Sequence, residues 1–241
     1  MFDLVNLVRY PGFDNMIRER AWELFNSMVH EKNNKTLTLE FYTNSWYSTI
    51  KYHAYCRGKT VEFCPAAINQ LLGLTTLEEC EVQRRRREIK DMSEEDWEEL
   101  LNTLCMEGMR WRKTKMLNKA DFKPIPKAWA SFVVQTLEST SCTYEIPIKR
   151  ALTFAAILSG NPINVGELIA NNIYEIVARK LKIVGNSSVI NWFCEEVVID
   201  EYKSYLDTPI IDPITDKTMD TFVKKYENYM REREGREYQG Q

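Results

Sequence analysis

Apolar residues recur at three- and four-residue spacings along most of this chain, and its turn formers fall between those stretches. Only 9 glycines and 8 prolines occur in 241 residues. A chain punctuated in this way builds helices joined by short connections. Over residues 14–28, Ile17, Ala21, Leu24, Phe25 and Met28 lie on one helical face behind Asp14, an N-cap candidate. A shorter helix follows at 37–45. Pro65 suits the first turn of a helix over 66–72, closed by Gly73. Ser93 and Asp96 form a capping box, with Trp97, Leu100, Leu101 and Leu104 inward. Pro124 and Pro126 open a helix that buries Trp129, Phe132, Val133 and Leu137, and Pro147 and Gly160 bracket another over 148–158.

The strongest helix start is Asn164, with Glu167 completing a capping box and Ile163 and Leu168 at hydrophobic-staple spacing. Ile169, Ile173, Ile176 and Val177 form its buried stripe. Helices over 187–196 and about 218–233 complete the series. Residues 47–63 differ: they are β-rich and interrupted by Arg57-Gly58-Lys59, which reads as a hairpin with Gly58 at positive φ. No internal repeat of 20–50 residues is present. The expected fold is mainly α, a single helical domain with one or two small β-hairpins, plus a C-terminal helix and polar tail. The chain divides into an N-terminal helix and linker (1–36), a helical domain (37–200), and an acidic loop, C-terminal helix and tail (201–241).

Composition excludes several classes. With 6 Trp, 12 Tyr and 10 Phe the chain buries a large core, which low-complexity disorder does not. No stretch approaches the roughly 18 apolar residues of a membrane-spanning helix. A net charge of −3 rules out a histone-like basic coat. Asp3 stands where a signal peptide carries its basic region, so an intracellular protein is expected, with nucleus and cytoplasm unresolved. In that setting Cys56, Cys64, Cys80, Cys105, Cys142 and Cys194 are read as reduced thiols. The sequons at Asn34 and Asn186 are chance matches.

The search for reaction chemistry yields no constellation. The two histidines, His30 and His53, belong to different elements, and no Cys/His cluster has zinc spacing. No metal site and no cofactor are expected. Phosphate-cradling glycine motifs are missing; Gly58-Lys59-Thr60 resembles the end of a phosphate loop without its leading glycine. No nucleophile elbow occurs. Asp207-Thr208-Pro209 has Pro where an aspartic-protease loop needs a flexible Gly. A two-metal nuclease needs three acids on a mixed sheet, and the strand runs for that sheet are lacking. The acids instead gather at helix N-termini (Glu94, Glu95, Asp96), where they offset the helix dipole.

Charge segregation carries the functional content. Residues 78–99 hold ten acids and five bases. Within them Arg84, Arg85, Arg86 and Arg87 form a run flanked by glutamates, read as a solvated loop with internal ion pairs or as a phosphate or nuclear-localisation patch. Residues 109–127 carry Arg110, Arg112, Lys113, Lys115, Lys119, Lys123 and Lys127 against Asp121 alone. With Trp111 and Phe122 interleaved, this is a candidate for gripping phosphates and stacking a base, or else a solvated hairpin face.

The run VEFCPAAINQLLGL at 61–74, preceded by Arg57-Gly58-Lys59, resembles the opening motif of the plant transposon protein domain family, which is associated with plant retroelements. Later blocks follow in family order: WEELLNTLCMEGMRW at 97–111, LNKADFKPIPKAWASF at 117–132 and KRALTFAAILSGNPINVGEL at 149–168. Together they span about 39–198. A fainter similarity links the chain to the helical plant mobile domain, through a strand pair followed by a short helix ending Leu-Leu-Gly-Leu. Cys64 departs from the family, which has Ser at that N-cap, so this helix start should be slightly weaker. The 84–87 stretch lies where members vary.

The resemblance implies a plant mobile-element origin and brings no catalytic residues with it. Arg57, Gly58, Trp97, Trp111, Trp129, Gly160 and Gly166, which recur in its blocks, all read as turn, core or cap. Three functions are therefore weighed. The first is a non-catalytic, mobile-element-derived domain that binds nucleic acid or protein through a local basic face. The second is a capsid-like assembly protein, a homo-oligomer whose C-terminal helix offers Phe222, Tyr226 and Met230. The third is a divergent metal-dependent transposase or nuclease.

Overall fold

The computed structural model describes residues 1–28, 34–48, 51–112, 115–179, 185–197 and 213–239. Its helices and short strands form around one apolar cluster that runs from Phe2 to Met219, as the mainly α expectation requires. The chain enters through α1 (Gly12–Glu19) and α2 (Glu23–Ser27). These were expected as one helix, but Ala21 takes φ 52° and separates them. The break turns Trp22 and Phe25 into the core beside Phe132. It also lets Arg20 donate to the carbonyl oxygens of Ala156, Ile157 and Asn161. Asp14 does not cap α1, whose N-cap is Pro11; it pairs with Arg18 one turn on, at 2.8 Å.

Helix α3 (Lys35–Thr43) begins at Asn34, whose side chain accepts the Leu37 amide. Strands β1 (Ser45–Ser48), β2 (Lys51–Cys56) and β3 (Lys59–Glu62) follow as an antiparallel meander, one strand larger than the expected hairpin. Arg57 and Gly58 turn β2 into β3 with φ 49° and 79°. Two successive positive-φ residues match the right-handed twist of a two-residue hairpin. Helix α4 (Pro65–Leu71) is capped by Cys64 Sγ, 3.4 Å from the Ala67 nitrogen.

Residues 81–87 form a helix, α5 (Glu81–Arg87), rather than the expected loop. Its acidic start and basic end suit the helix dipole, and Arg84 bridges Glu81 and Glu88 along one face. Helix α6 (Glu94–Leu104) carries the predicted Ser93/Asp96 capping box. Strand β4 (Met116–Asn118), helix α7 (Pro124–Thr136), strand β5 (Glu145–Pro147), helix α8 (Ile148–Leu158), helix α9 (Val165–Ala178) and helix α10 (Ser187–Val197) complete the domain. Asn164 caps α9 by accepting the Glu167 amide at 3.1 Å. The capping box is not reciprocal, because the Asn164 amide points to Cys80 Sγ at 3.5 Å.

The centre is aromatic. Phe2 stacks on Phe13 and Phe132 and meets the edge of the fully buried Trp129, with centroids 4.6, 5.2 and 4.7 Å away. Phe2 is placed there by a clasp between the two ends of the described chain. The Asp3 amide donates to Ile214 O, the Ile214 amide donates to Met1 O, and Arg9 pairs with Asp216 and Asp220. Ile214 lies just before α11 (Asp216–Gln239), and Asp216 and Asp220 lie in its first turns; α11 packs on α7.

Candidate anion-binding cleft

The cleft is built where β4 ends. Leu117 and Ile146, partners in the β4–β5 pair, are both buried and anchor the two strands. The chain leaves β4 through a tight turn at Lys119–Asp121, capped by Asn118 Oδ1, which accepts the Ala120 amide at 2.9 Å. The Lys119 amide donates to Tyr144 O at 2.8 Å, so Lys119 and Tyr144 stand side by side. One turn into α7, Lys127 folds back and donates from Nζ to Ala120 O at 2.9 Å. Helix α11 supplies the opposite wall with Phe222, Lys225 and Tyr226. The space enclosed is about 310 Å³.

Three ammonium groups therefore line one cleft, and among the described residues no carboxylate lines it. Burial acts on two of them, and neighbouring charge on one. Burial pushes Lys127 below the usual lysine range, and the like charges of Lys225 and Lys119 push it further; only Asp121 acts against them. Burial alone lowers Lys119. Lys119 Nζ reaches Ser131 Oγ at 3.3 Å, and Lys127 Nζ sits 5.7 Å from the Phe222 ring centroid. An ammonium has three donors, so each buried lysine keeps donors for a ligand after its internal bond. Like charges gathered in a half-buried space favour an anion, which restores the solvation they have lost.

The structure distributes the remaining sequence candidates differently. Arg110 is exposed. Arg112 pairs with Glu145 at 3.1 Å, and Lys115 sits 4.8 Å over the Trp97 ring. Lys123 Nζ donates to Asn102 O at the end of α6, satisfying a helix-terminal carbonyl. Lys113 lies outside the described residues, as do His30 and the loop at 207–209. Trp111 is no stacking platform: its Nε1–H donates to Trp97 O at 3.0 Å and its ring meets Trp97 edge-on.

Three of the four arginines of α5 are paired with carboxylates of the chain. Arg84 pairs with Glu81 and Glu88, and Arg87 lies 3.7 Å from Glu79. Arg86 turns inward to Glu138, Thr153 Oγ1 and Lys149 O. Arg85 is half-buried, and its charge holds Asp96 down less than the Ser93 hydrogen bonds do. Among the described residues no group of three His, Cys, Asp or Glu side chains could hold a metal ion. Nor is any described helix long and apolar enough to cross a membrane.

The proposed self-association face divides. Phe222 and Tyr226 line the cleft. Met230 is half-buried in the turn where Tyr229 Oη donates to Glu107 O and Arg233 pairs with Glu107. Sequence reasoning missed Lys225, Tyr144 and Asn118. Lys225 stands three residues after Phe222, on the same face of α11, and that spacing was the available signal.

Residues 18–200 match the family model described as "Putative plant retrotransposon-related domain". The chain belongs to this family. No curated protein and no solved structure matches it. Within the retrotransposon-related span lie Lys119, Lys127 and Tyr144; the α11 wall of the cleft lies beyond it.

Proposed function

We propose that this retrotransposon-related domain binds nucleic acid, without catalysing a reaction, and that the cleft between β4, α7 and α11 is where it does so. One observation carries the reading: Lys119, Lys127 and Lys225 converge on a space that no carboxylate of the described residues lines, with aromatic side chains beside them. Phosphodiester chains are the polyanions that combine closely spaced charge with flat rings, and both halves of the cleft answer to that chemistry. The overall charge of −3 is no obstacle, because binding senses the local field.

Fluorescence anisotropy with a labelled oligonucleotide, repeated across salt concentrations, tests this. Three phosphate contacts on a single strand give a slope of log affinity against log salt of about −2. Lys225 is exposed, so Lys225→Gln leaves the fold intact and removes about 0.7 from that slope. Arg87→Gln, on α5, leaves it unchanged. Salt-independent binding, or equal losses in both variants, refutes the cleft as the site.

A further inference from the structure

The cleft has features that phosphate binding alone does not require. Tyr144 is 62 % exposed, far more than a packing tyrosine, yet it stands at the rim of the cleft rather than on open surface. Its hydroxyl makes no hydrogen bond among the described residues, and neither does that of Tyr226. Asn118 uses its Oδ1 to cap the turn, leaving the Nδ2 amino group as a donor without a partner among the described residues. Phe222 and Tyr226, from α11, line the same cleft as Tyr144, with Lys225 between them in sequence.

A volume of about 310 Å³ stands at the lower end of the range for a site enclosing one small ligand. That suits a single flat ring with its attached phosphate. It does not suit the continuous groove that would track a duplex. A base paired in a duplex is held in its stack and reaches such a space only by being extruded.

From this juxtaposition of a nucleotide-sized cleft, three lysines and facing aromatic rings, we infer that the site takes one unpaired nucleotide of a single strand. The base lies against Tyr144 and the α11 aromatics, the phosphates meet Lys119, Lys127 and Lys225, and the Asn118 amino group faces an acceptor on the base edge. This rests on the nucleic-acid reading above and sharpens it. Duplex meets only the lysines; a single strand meets lysines and rings.

The test is a competition of two unlabelled 12-mers, one single-stranded and one its blunt duplex, for a labelled single strand at one salt concentration. Base–aromatic stacking predicts a single-strand preference of roughly 5- to 150-fold. Tyr144→Ala, a substitution at an exposed site, should abolish most of that preference and leave the salt slope unchanged. Tyr144→Phe, which keeps the ring, should retain it. Equal affinity for the two 12-mers, with Lys225→Gln still flattening the salt slope, overturns this inference while the nucleic-acid reading stands. A single-strand preference that Tyr144→Ala does not move also overturns it. No binding of either 12-mer, or displacement by a polyglutamate of equal charge, overturns both.

Discussion

Replacing Gly166 with alanine should detach helix α9 from helix α4. Gly166 sits in the first turn of α9, and its amide donates to Asn69 Oδ1 at 2.8 Å. Asn69 in turn donates to Asn164 Oδ1 at 2.8 Å, so one buried amide side chain ties α4 to the cap of α9. A Cβ at residue 166 would overlap the backbone oxygen of Pro65 and stand 2.8 Å from both Cγ and Oδ1 of Asn69. The Pro65 oxygen belongs to backbone and cannot rotate aside. Overpacking of this kind costs about 1–3 kcal/mol. Driving Asn69 away strands a buried amide, for a further 1–3 kcal/mol or so. The better helix propensity of alanine returns at most about 1 kcal/mol. The net expectation is a loss of about 3 kcal/mol. Urea unfolding followed by far-ultraviolet circular dichroism should show the midpoint lowered by about 1 M, at a slope near 3 kcal/mol/M. Gly12→Ala is the matched control, since a Cβ there meets nothing within 4 Å. A Gly166→Ala midpoint within about 0.3 M of the parent, or an equal fall in Gly12→Ala, refutes the argument.

Four further outcomes follow from the same geometry. Arg86→Met strands Glu138, whose side chain is 8 % exposed, and should destabilise the fold by about 3–5 kcal/mol in chemical denaturation, whereas Arg86→Met with Glu138→Leu should recover most of the loss. Cys64→Ser replaces a weak sulfur acceptor at the α4 cap and should raise stability by about 0.5–1 kcal/mol; an unchanged midpoint counts against the cap. Burial first, and Asp121 second, push the Cys105 thiol up to about 12 from 9.0, so above pH 9 the unfolded chain loses a proton that the folded one keeps. The contribution of Cys105 to stability therefore falls with rising pH, by about 1.4 kcal/mol at pH 10, and Cys105→Ala should remove that part of the profile. Lys119 and Lys127 have lowered folded pKa values, so at these two sites the unfolded chain binds more protons and their own contribution to stability rises, against that of Cys105, as the pH approaches 10.5. An anion in the cleft reverses that lowering; calorimetry in alkaline buffers of different ionisation enthalpy should register proton uptake on binding, and proton release would contradict it.

Helix boundaries were legible wherever a local signal sufficed. Ser93 with Asp96, Asn164, and Pro147 with Gly160 each act through backbone groups a few residues away, and each stands where the sequence places it. The break at Ala21 was not legible, because no glycine or proline marks it. The φ of 52° is imposed by the packing of Trp22 and Phe25 and by Arg20 reaching the end of α8. The β4–β5 pair is likewise invisible in sequence. Its strands are three residues each and meet across an intervening helix, too short for any periodic signal. That pairing is what puts Tyr144 beside Lys119, so half of the cleft could not be read from the chain. The basic segment is a different case. Its composition is a sum of charges, and the structure assigns Arg112 and Lys115 to partners outside the cleft and Lys123 to a helix end, while retaining Lys119 and Lys127 for it.

The clasp between the two ends of the described chain has a consequence for the family as a whole. The matched span, 18–200, contains neither residues 1–17 nor α11, and those two outer pieces hold each other through Ile214 and Arg9. The cleft thus has a palm contributed by the matched span and a jaw contributed by α11, outside it. If the cleft binds nucleic acid as proposed, a relative whose residues outside the shared span differ would present a different jaw to its ligand. Selectivity among such domains would then be written in the jaw and affinity in the palm. Exchanging the 213–239 segment between two members would move the one without the other.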